Sequence, residues 1–288
     1  MTDTVAVLGV GKMGEALLSG MVRAGKPVGQ LYGSTRTGER AKTLEERYGV
    51  SMVSNADAVA AADTVLLAVT PQDITGVLDE IAPVLSSDTL VASLAAGVAT
   101  DVIESHLPAG TPVVRVMPNT PAQVDEGMAT LSAGRNAGDD QVERVAKLLS
   151  ATGQVAIVPE KYQDAVTAIS GTGPAYLFLV VESMIEAGVH LGLPRHTATQ
   201  LAVQTMYGSA KLLKETGDHP TVLRERVTSP GGTTASAIRV LEDHKVRAAF
   251  LGAMEAARDR SRELADAARG DANPTDAQAT GPGEDRAG

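Results

Sequence analysis

Residues 4–25 read TVAVLGVGKMGEALLSGMVRAG, and the reading of the fold turns on them. A short apolar run, Val5 to Leu8, leads into glycines at 9, 11 and 14, and a helix-period stretch then runs to Gly25. The spacing is G-x-G-x-x-G. It is common in isolation, but between a strand and a helix it is specific for a dinucleotide site. The first glycine permits a tight turn, the second lets backbone approach a pyrophosphate, and the third lets the helix pack closely on the strand. The amino end of that helix then faces the phosphates. The plainer alternative is an ordinary glycine-rich turn.

Outward from this stretch, apolar runs and helical patterns alternate. Strands are expected at QLYGS (30–34), DTVLLAV (63–69), TLVASL (89–94), PVVRVM (112–117), MATLSAG (128–134) and QVAIV (154–158). Helices are expected at GERAKTLEERYG (38–49), DDQVERVAKLLSAT (139–152) and in the gaps between the middle strands. Such alternation implies a parallel sheet covered by helices on both faces. From about residue 164 the strand signal fades. Segments 174–192, 194–216 and 234–268 each read as one helix. The first is apolar all round near its start, from Ala175 to Val181, and such a helix demands cover all round. A second copy of the chain is the expected cover. Residues 268–288 are rich in Gly, Ala, Pro and Asp and are expected to be disordered.

The fold class is therefore α/β: an N-terminal Rossmann-type dinucleotide-binding domain (1–163), then an all-helical dimerisation and substrate domain (164–267), then the tail. The chain has 288 residues, 43% of them hydrophobic, enough for two domains. A net charge of −10 disfavours nucleic-acid partners. Cysteine is absent, which removes disulfides, thiolate metal sites and a cysteine nucleophile. The five histidines are scattered, without metal-ligand spacing. No signal peptide is visible, and Glu182, Glu186 and His190 interrupt the most apolar run. The expectation is a soluble, cytoplasmic protein with no membrane partner.

About twenty residues past the glycines, an NAD-preferring site usually offers a carboxylate to the ribose hydroxyls. This chain instead offers Ser34, Thr35 and Arg36, able to hydrogen-bond and neutralise a 2′-phosphate, with no carboxylate in that stretch. NADPH is the expected cofactor, with NADH as the alternative.

Six stretches occur in order: GVGKMG (9–14), AVTPQ (68–72), SLAAGV (93–98), RVMPNTPAQVDEGM (115–128), AISGTGPAYLF (168–178) and VTSPGGTT (227–234). Together they resemble the pyrroline-5-carboxylate reductase family, the enzymes of the last step of proline biosynthesis, over nearly everything except the tail. The resemblance implies hydride reduction of a five-membered cyclic imine bearing a carboxylate. It implies cofactor contacts from Gly9, Val10, Gly11, Lys12, Met13, Gly14, Ser34, Thr35, Arg36, Asn55, Ala68, Val69, Thr70, Pro71, Ala95, Ala96 and Gly97. It places Glu160 and the turn ending at Thr234 at the substrate. It also implies a homodimer through the helical domain, or a higher oligomer of dimers. One departure stands out: members usually carry Lys where this chain has Thr70.

The residues of the turn suit that role. Gly231 and Gly232 leave their N–H groups sterically open, and the helix that follows aims its positive end at the loop. Ser229 and Thr233 add hydroxyl donors for a carboxylate, and Thr234 is placed for the imine nitrogen or product amine. The plainer reading is a capped helix start, since Ser, Thr and Gly all favour that position. A threonine is no strong acid near neutral pH, so the imine is expected to react as a preformed iminium. The glycines before residue 176 are read either as a packing turn or as pocket lining from a partner subunit. The rivals are a β-hydroxyacid dehydrogenase, whose catalytic lysine slot here holds Leu177, a non-catalytic NADPH sensor, and a reductase of a six-membered imine.

Overall fold

The computed structural model describes residues 3–271. The first compact unit runs to Gly171 and includes the chain from Ala257; the second is Thr172–Ala256.

In the first unit the order is β1 (Val5–Leu8), α1 (Lys12–Arg23), β2 (Leu31–Ser34), α2 (Gly38–Tyr48), β3 (Ser51–Met52), α3 (Asn55–Ala60), β4 (Thr64–Leu67) and α4 (Ile74–Ile81). There follow β5 (Leu90–Ser93), α5 (Thr100–Ser105), β6 (Val113–Met117), β7 (Gly127–Ala133), α6 (Asp139–Leu149), β8 (Gly153–Ile157) and the short α7 (Gln163–Val166). Eight strands form one sheet in the order β3-β2-β1-β4-β5-β6-β7-β8.

Successive strand residues point to opposite faces, and the core divides accordingly. Val5, Val7, Leu66, Leu90, Ala92, Val114 and Val116 join Leu17 and Leu18 of α1 and Val145 and Leu149 of α6. Ala6, Leu8, Val65, Leu67, Val91 and Val113 join Val59 of α3, Leu78 of α4 and Ile103 of α5 on the other side. Both faces are covered, which is why these strands are continuous apolar runs.

The expected all-parallel sheet is corrected at one place: β6 and β7 are antiparallel, with Val116 opposite Leu131. Their connection, residues 118–126, holds only a 3-10 turn at Thr120–Val124. A parallel crossover needs roughly a dozen residues or more, usually with a helix, so the chain turns back. The two-residue β3 has too short a pattern to be seen in the sequence.

The sheet unit also extends past the expected 163/164 boundary. Gln163 is fully buried and bridges β7, donating to Ser132 at 2.8 Å and accepting from Thr130 at 3.0 Å. Residues Thr167–Gly171 form a π-helical turn, and a Cβ on Gly171 would strike the methyl of Met117. This segment is fastened to the sheet, and the first glycine of the 171–173 stretch serves close packing.

The second unit contains α8 (Gly173–His190), α9 (Arg195–Thr216), α10 (Pro220–Arg226), α11 (Thr233–Asp243) and the start of α12 (Val246–Asp271). Pro174 sits in the first turn of α8, where its missing N–H costs nothing. α8 and α9 approach closely: a Cβ on Gly188 would lie 2.9 Å from Ala198 Cβ. The single helix expected over 234–268 is broken at Lys245, whose φ of 56° lies outside helical space, and α10 had no distinct sequence signal. The expected disordered tail lies, past Asp271, outside the described residues.

Only Ala198 and Ala202 of this unit are buried within one chain. Phe178 is 67% exposed, with Leu179, Leu201, Tyr207 and Leu251 also exposed. By length and composition, the stretch Glu160–His190 could cross a membrane, its window having a mean hydropathy of 1.3 and 6% burial. It is not one continuous α-helix, since the π-helical turn interrupts it.

Candidate functional site

The strand order reverses between β1 and β4, so the carboxyl ends of β1, β2 and β4 open a crevice, the usual ligand position in such sheets. The three glycines differ there in a telling way. Gly9 leaves β1 with φ +78°, and a Cβ on it would lie 2.5 Å from Val69 Cγ1. Gly14, inside α1, would press its Cβ to 3.0 Å from the Gly9 carbonyl and 3.3 Å from Ala68. Gly11 is exposed, and the only atom within 4 Å of its Cβ would be the Gly9 oxygen at 3.9 Å. Two glycines thus close the turn against the protein, while the middle one faces open space. Gly11 is also the N-cap of α1, with no side chain capping it. The first-turn amides of α1 are thereby left for an anion.

The neighbouring loops are fastened to this turn. Val10 N–H donates to the Ser34 carbonyl at 2.8 Å. The buried Ser34 hydroxyl donates to Asn55 Oδ1 at 2.5 Å, and Asn55 Nδ2 donates to Glu80 at 2.8 Å. Ser34, Asn55 and the glycine turn are therefore brought together, with Ala68 and Val69 beneath Gly9. Lys12 and Met13 open α1 directly after the turn, and Thr35 follows Ser34 in the loop after β2. Arg36 and Thr70 both donate to the carboxylate of Asp73. The expectation of a carboxylate-free end beside Arg36 is corrected here. Asp73 lies 37 residues from Arg36, so no local reading could find it.

Ala95, Ala96 and Gly97 follow β5 at the same edge of the sheet. Gly97 has φ +77°, and its Cβ would lie 3.3 Å from Leu264 Cβ in the last helix. Close packing against that helix accounts for this glycine.

Glu160 is committed within the protein. It accepts from the Thr100 N–H at 2.8 Å and the Thr100 hydroxyl at 2.7 Å, capping α5, and from Arg115 at 3.4 Å. Arg115 is only 6% exposed on β6, and Asp164 stands 3.8 Å from its other nitrogen. Ser261 in turn donates to Asp164 at 2.8 Å. A cavity of about 230 Å³ is lined by Arg115, Glu160, Asp164 and Arg262 among others. Arg115 opens the 115–128 stretch but was given no role there, and Asp164 lies in none of the quoted stretches.

In the second unit the 227–232 turn leads into α11. Gly231 takes φ +71°, and Gly232 is the N-cap with no side-chain cap bond. Ser236 N–H donates to the Gly232 carbonyl at 3.2 Å. Among the described residues, the hydroxyls of Ser229, Thr233 and Thr234 have no protein partner. A helix start rich in capping residues is thus left without a side-chain cap.

Elsewhere, Glu15 links α1 to α2. Burial pushes its carboxyl up, but Tyr48, Arg40 and Arg47 together outweigh that and hold it below its ordinary value of 4.5. His106 pairs with Asp79 at 2.8 Å, and His219 accepts from the Thr221 N–H. No metal-binding group occurs among the described residues.

The helical half, residues 160–264, matches the family model for pyrroline-5-carboxylate reductase dimerisation. Residues 4–97 match a model described as NADP oxidoreductase, coenzyme F420-dependent. A pyrroline-5-carboxylate reductase of Corynebacterium melassecola is 49% identical over 265 residues, covering 91% of this chain and 98% of that protein. The chain belongs to the pyrroline-5-carboxylate reductase family. The Mycobacterium tuberculosis member is 44% identical, covering 90% of this chain and 96% of its own. Among solved structures, the reductase of Coxiella burnetii superposes with a TM-score of 0.87 at 36% identity, covering 92% of this chain and 99% of its own. The Plasmodium falciparum reductase, solved with NADP bound, gives 0.82 at 30% identity, covering 91% and 98%. Ketol-acid reductoisomerase and prephenate dehydrogenase structures, at 17% and 15% identity, share the fold alone.

Proposed function

We propose that this chain reduces 1-pyrroline-5-carboxylate to L-proline with NADPH, as a homodimer built through its helical unit in the cytoplasm. The observation that carries the cofactor half is the contrast among the glycines: Gly9 and Gly14 are shut against the protein, and Gly11 is open above an uncapped helix start. That geometry fits a pyrophosphate. Ser34, held by Asn55, and Arg36 lie where a 2′-phosphate would be met, which favours NADPH over NADH. Ala68 to Pro71 and Ala95 to Gly97 complete the loops around the cofactor.

When bound, the cofactor supplies the hydride that reduces the imine carbon. The protein's own part is orientation and electrostatics. The free first-turn amides of α11 hold the substrate carboxylate with the hydroxyls of Ser229 and Thr233; the Gly232 N–H, expected to be open, is instead given to the Ser229 carbonyl at 3.0 Å. The Thr234 hydroxyl donates to or accepts from the ring nitrogen and fixes the ring's orientation, while solvent supplies the proton. Glu160, assigned to the substrate by resemblance, acts by holding Arg115 and α5 in place. The exposed apolar side chains of α8 and α9 are the surface a second copy covers, since one chain buries almost nothing there.

The test is NADPH oxidation followed at 340 nm with purified protein and pyrroline-5-carboxylate, run beside NADH and a β-hydroxyacid. Imine-dependent loss of NADPH is expected. NADPH binding without turnover would refute the assignment of the 229–234 turn and leave a non-catalytic sensor.

A further inference from the structure

We propose that Asp73 sets the balance between the two nicotinamide cofactors by competing with a 2′-phosphate for Arg36. The inference rests on the reading that the cofactor lies along Gly9 to Gly14 with its adenosine end toward Ser34 and Arg36.

Asp73 ends the 3-10 turn Pro71–Asp73, which directly follows the loop leaving β4. Arg36 lies in the loop leaving β2. The two loops flank the glycine turn that leaves β1, so the Arg36–Asp73 pair spans the crevice at its ribose end. The guanidinium is 74% exposed and Asp73 is its one ion-pair partner among the described residues. Thr70 donates its hydroxyl to the same carboxylate but brings no charge to neutralise it. Asp73 thus occupies the group on which a 2′-phosphate depends.

The consequences differ for the two cofactors. A phosphate that engages Arg36 must displace Asp73 or lie beside it, one anion against another. A ribose diol without the phosphate meets the opposite situation, because a carboxylate at this end of the crevice is the acceptor that NAD-type sites use. Asp73 therefore opposes NADPH and assists NADH, while Arg36 does the reverse. The pair is exposed and screened, so the effect is modest. Two unit charges about 4 Å apart in water interact by about 1 kcal/mol, which corresponds to about a fivefold change in affinity.

The test compares the wild-type chain with Asp73→Asn and Asp73→Glu. It measures direct binding of NADPH and NADH by nicotinamide fluorescence and kcat/KM with each cofactor, at low and high salt. Asp73→Asn is expected to raise the NADPH-to-NADH ratio of kcat/KM about fivefold at low salt and less at high salt. Asp73→Glu is expected to restore the wild-type ratio. A ratio that stays constant in Asp73→Asn, or that falls, overturns the proposal while leaving the cofactor site intact. A wild-type chain that binds neither cofactor overturns the cofactor site and this inference together.

Discussion

Replacing Gly11 with alanine separates the folding role of the glycine turn from its binding role. The new methyl would have one protein atom near it, the Gly9 carbonyl at 3.9 Å, which is ordinary contact. Gly11 has φ −81°, which alanine adopts without strain. The folding cost is then that of a poorer N-cap, about 0.5–1 kcal/mol. For a domain of this size that lowers Tm by about 1–4 °C. The methyl points instead into the space above the first turn of α1, where the phosphates would be met. Losing one charge-assisted hydrogen bond to a backbone amide costs about 1.5–3 kcal/mol, a roughly 10- to 100-fold weaker NADPH complex. Gly14→Ala is the counterpart. Its methyl would be forced against Gly9 and Ala68 at 3.0 and 3.3 Å. Overpacking of that kind costs about 1–3 kcal/mol, less the ~1 kcal/mol by which alanine favours a helix. Fluorescence titration with NADPH and thermal denaturation, run on both variants, distinguish them. Gly11→Ala should lose NADPH binding with only a small fall in Tm, and Gly14→Ala should lower Tm while the folded chain keeps its NADPH affinity. A Gly11→Ala chain that binds NADPH like the wild type would refute the placement of the pyrophosphate.

Three further outcomes are expected. Thr234→Ala lowers kcat by about 10-fold or more, the scale of one lost hydrogen bond in the transition state, with NADPH affinity kept; collapse of cofactor binding would show the threonine misplaced. Glu160→Gln leaves the buried Arg115 with Asp164 at 3.8 Å as its remaining carboxylate. Denaturant titration should then show a loss of about 1–3 kcal/mol, whereas a fall in kcat/KM at unchanged stability would return Glu160 to the substrate. Glu15→Gln tests a pH dependence. The carboxyl is held below 4.5 in the folded chain, so its stabilising contribution is complete above that value and is lost as pH falls through the lowered one. The stability gap between wild type and variant should be full near neutrality and close at acid pH; a gap constant down to pH 3 would exclude this account.

Much of the first unit was legible because its signals are local. A glycine motif between strand and helix, and strands written as continuous apolar runs, depend on neighbours a few residues away. The positive φ of Gly231 and the helix start at Gly232 were readable for the same reason. The antiparallel β6–β7 pair was less visible. Its cause is the shortness of residues 118–126, and length had to be weighed against a run of apparently equivalent strands. The break at Lys245, which takes φ 56°, left no mark, since that residue carries no helix-stopping chemistry. In the second unit the apolar character of α8 was plain from the sequence, and its exposure in a single chain agrees with a partner being required.

By itself, then, the sequence determined most of the element types, the two-faced core, the glycine turn after β1 and the family. Each of these follows from side-chain periodicity or from what a backbone without a Cβ can do. Tertiary structure decided which charges meet. Arg36 finds Asp73 across 37 residues, and Thr100 finds Glu160 across 60. Such pairs exist only after β1, β2 and β4 lie side by side and residues 160–171 have folded back on the sheet. The physical reason is reach. Local patterns act through bonds and one turn of helix, whereas a hydrogen bond 3 Å long between distant residues depends on the strand order that brings them together.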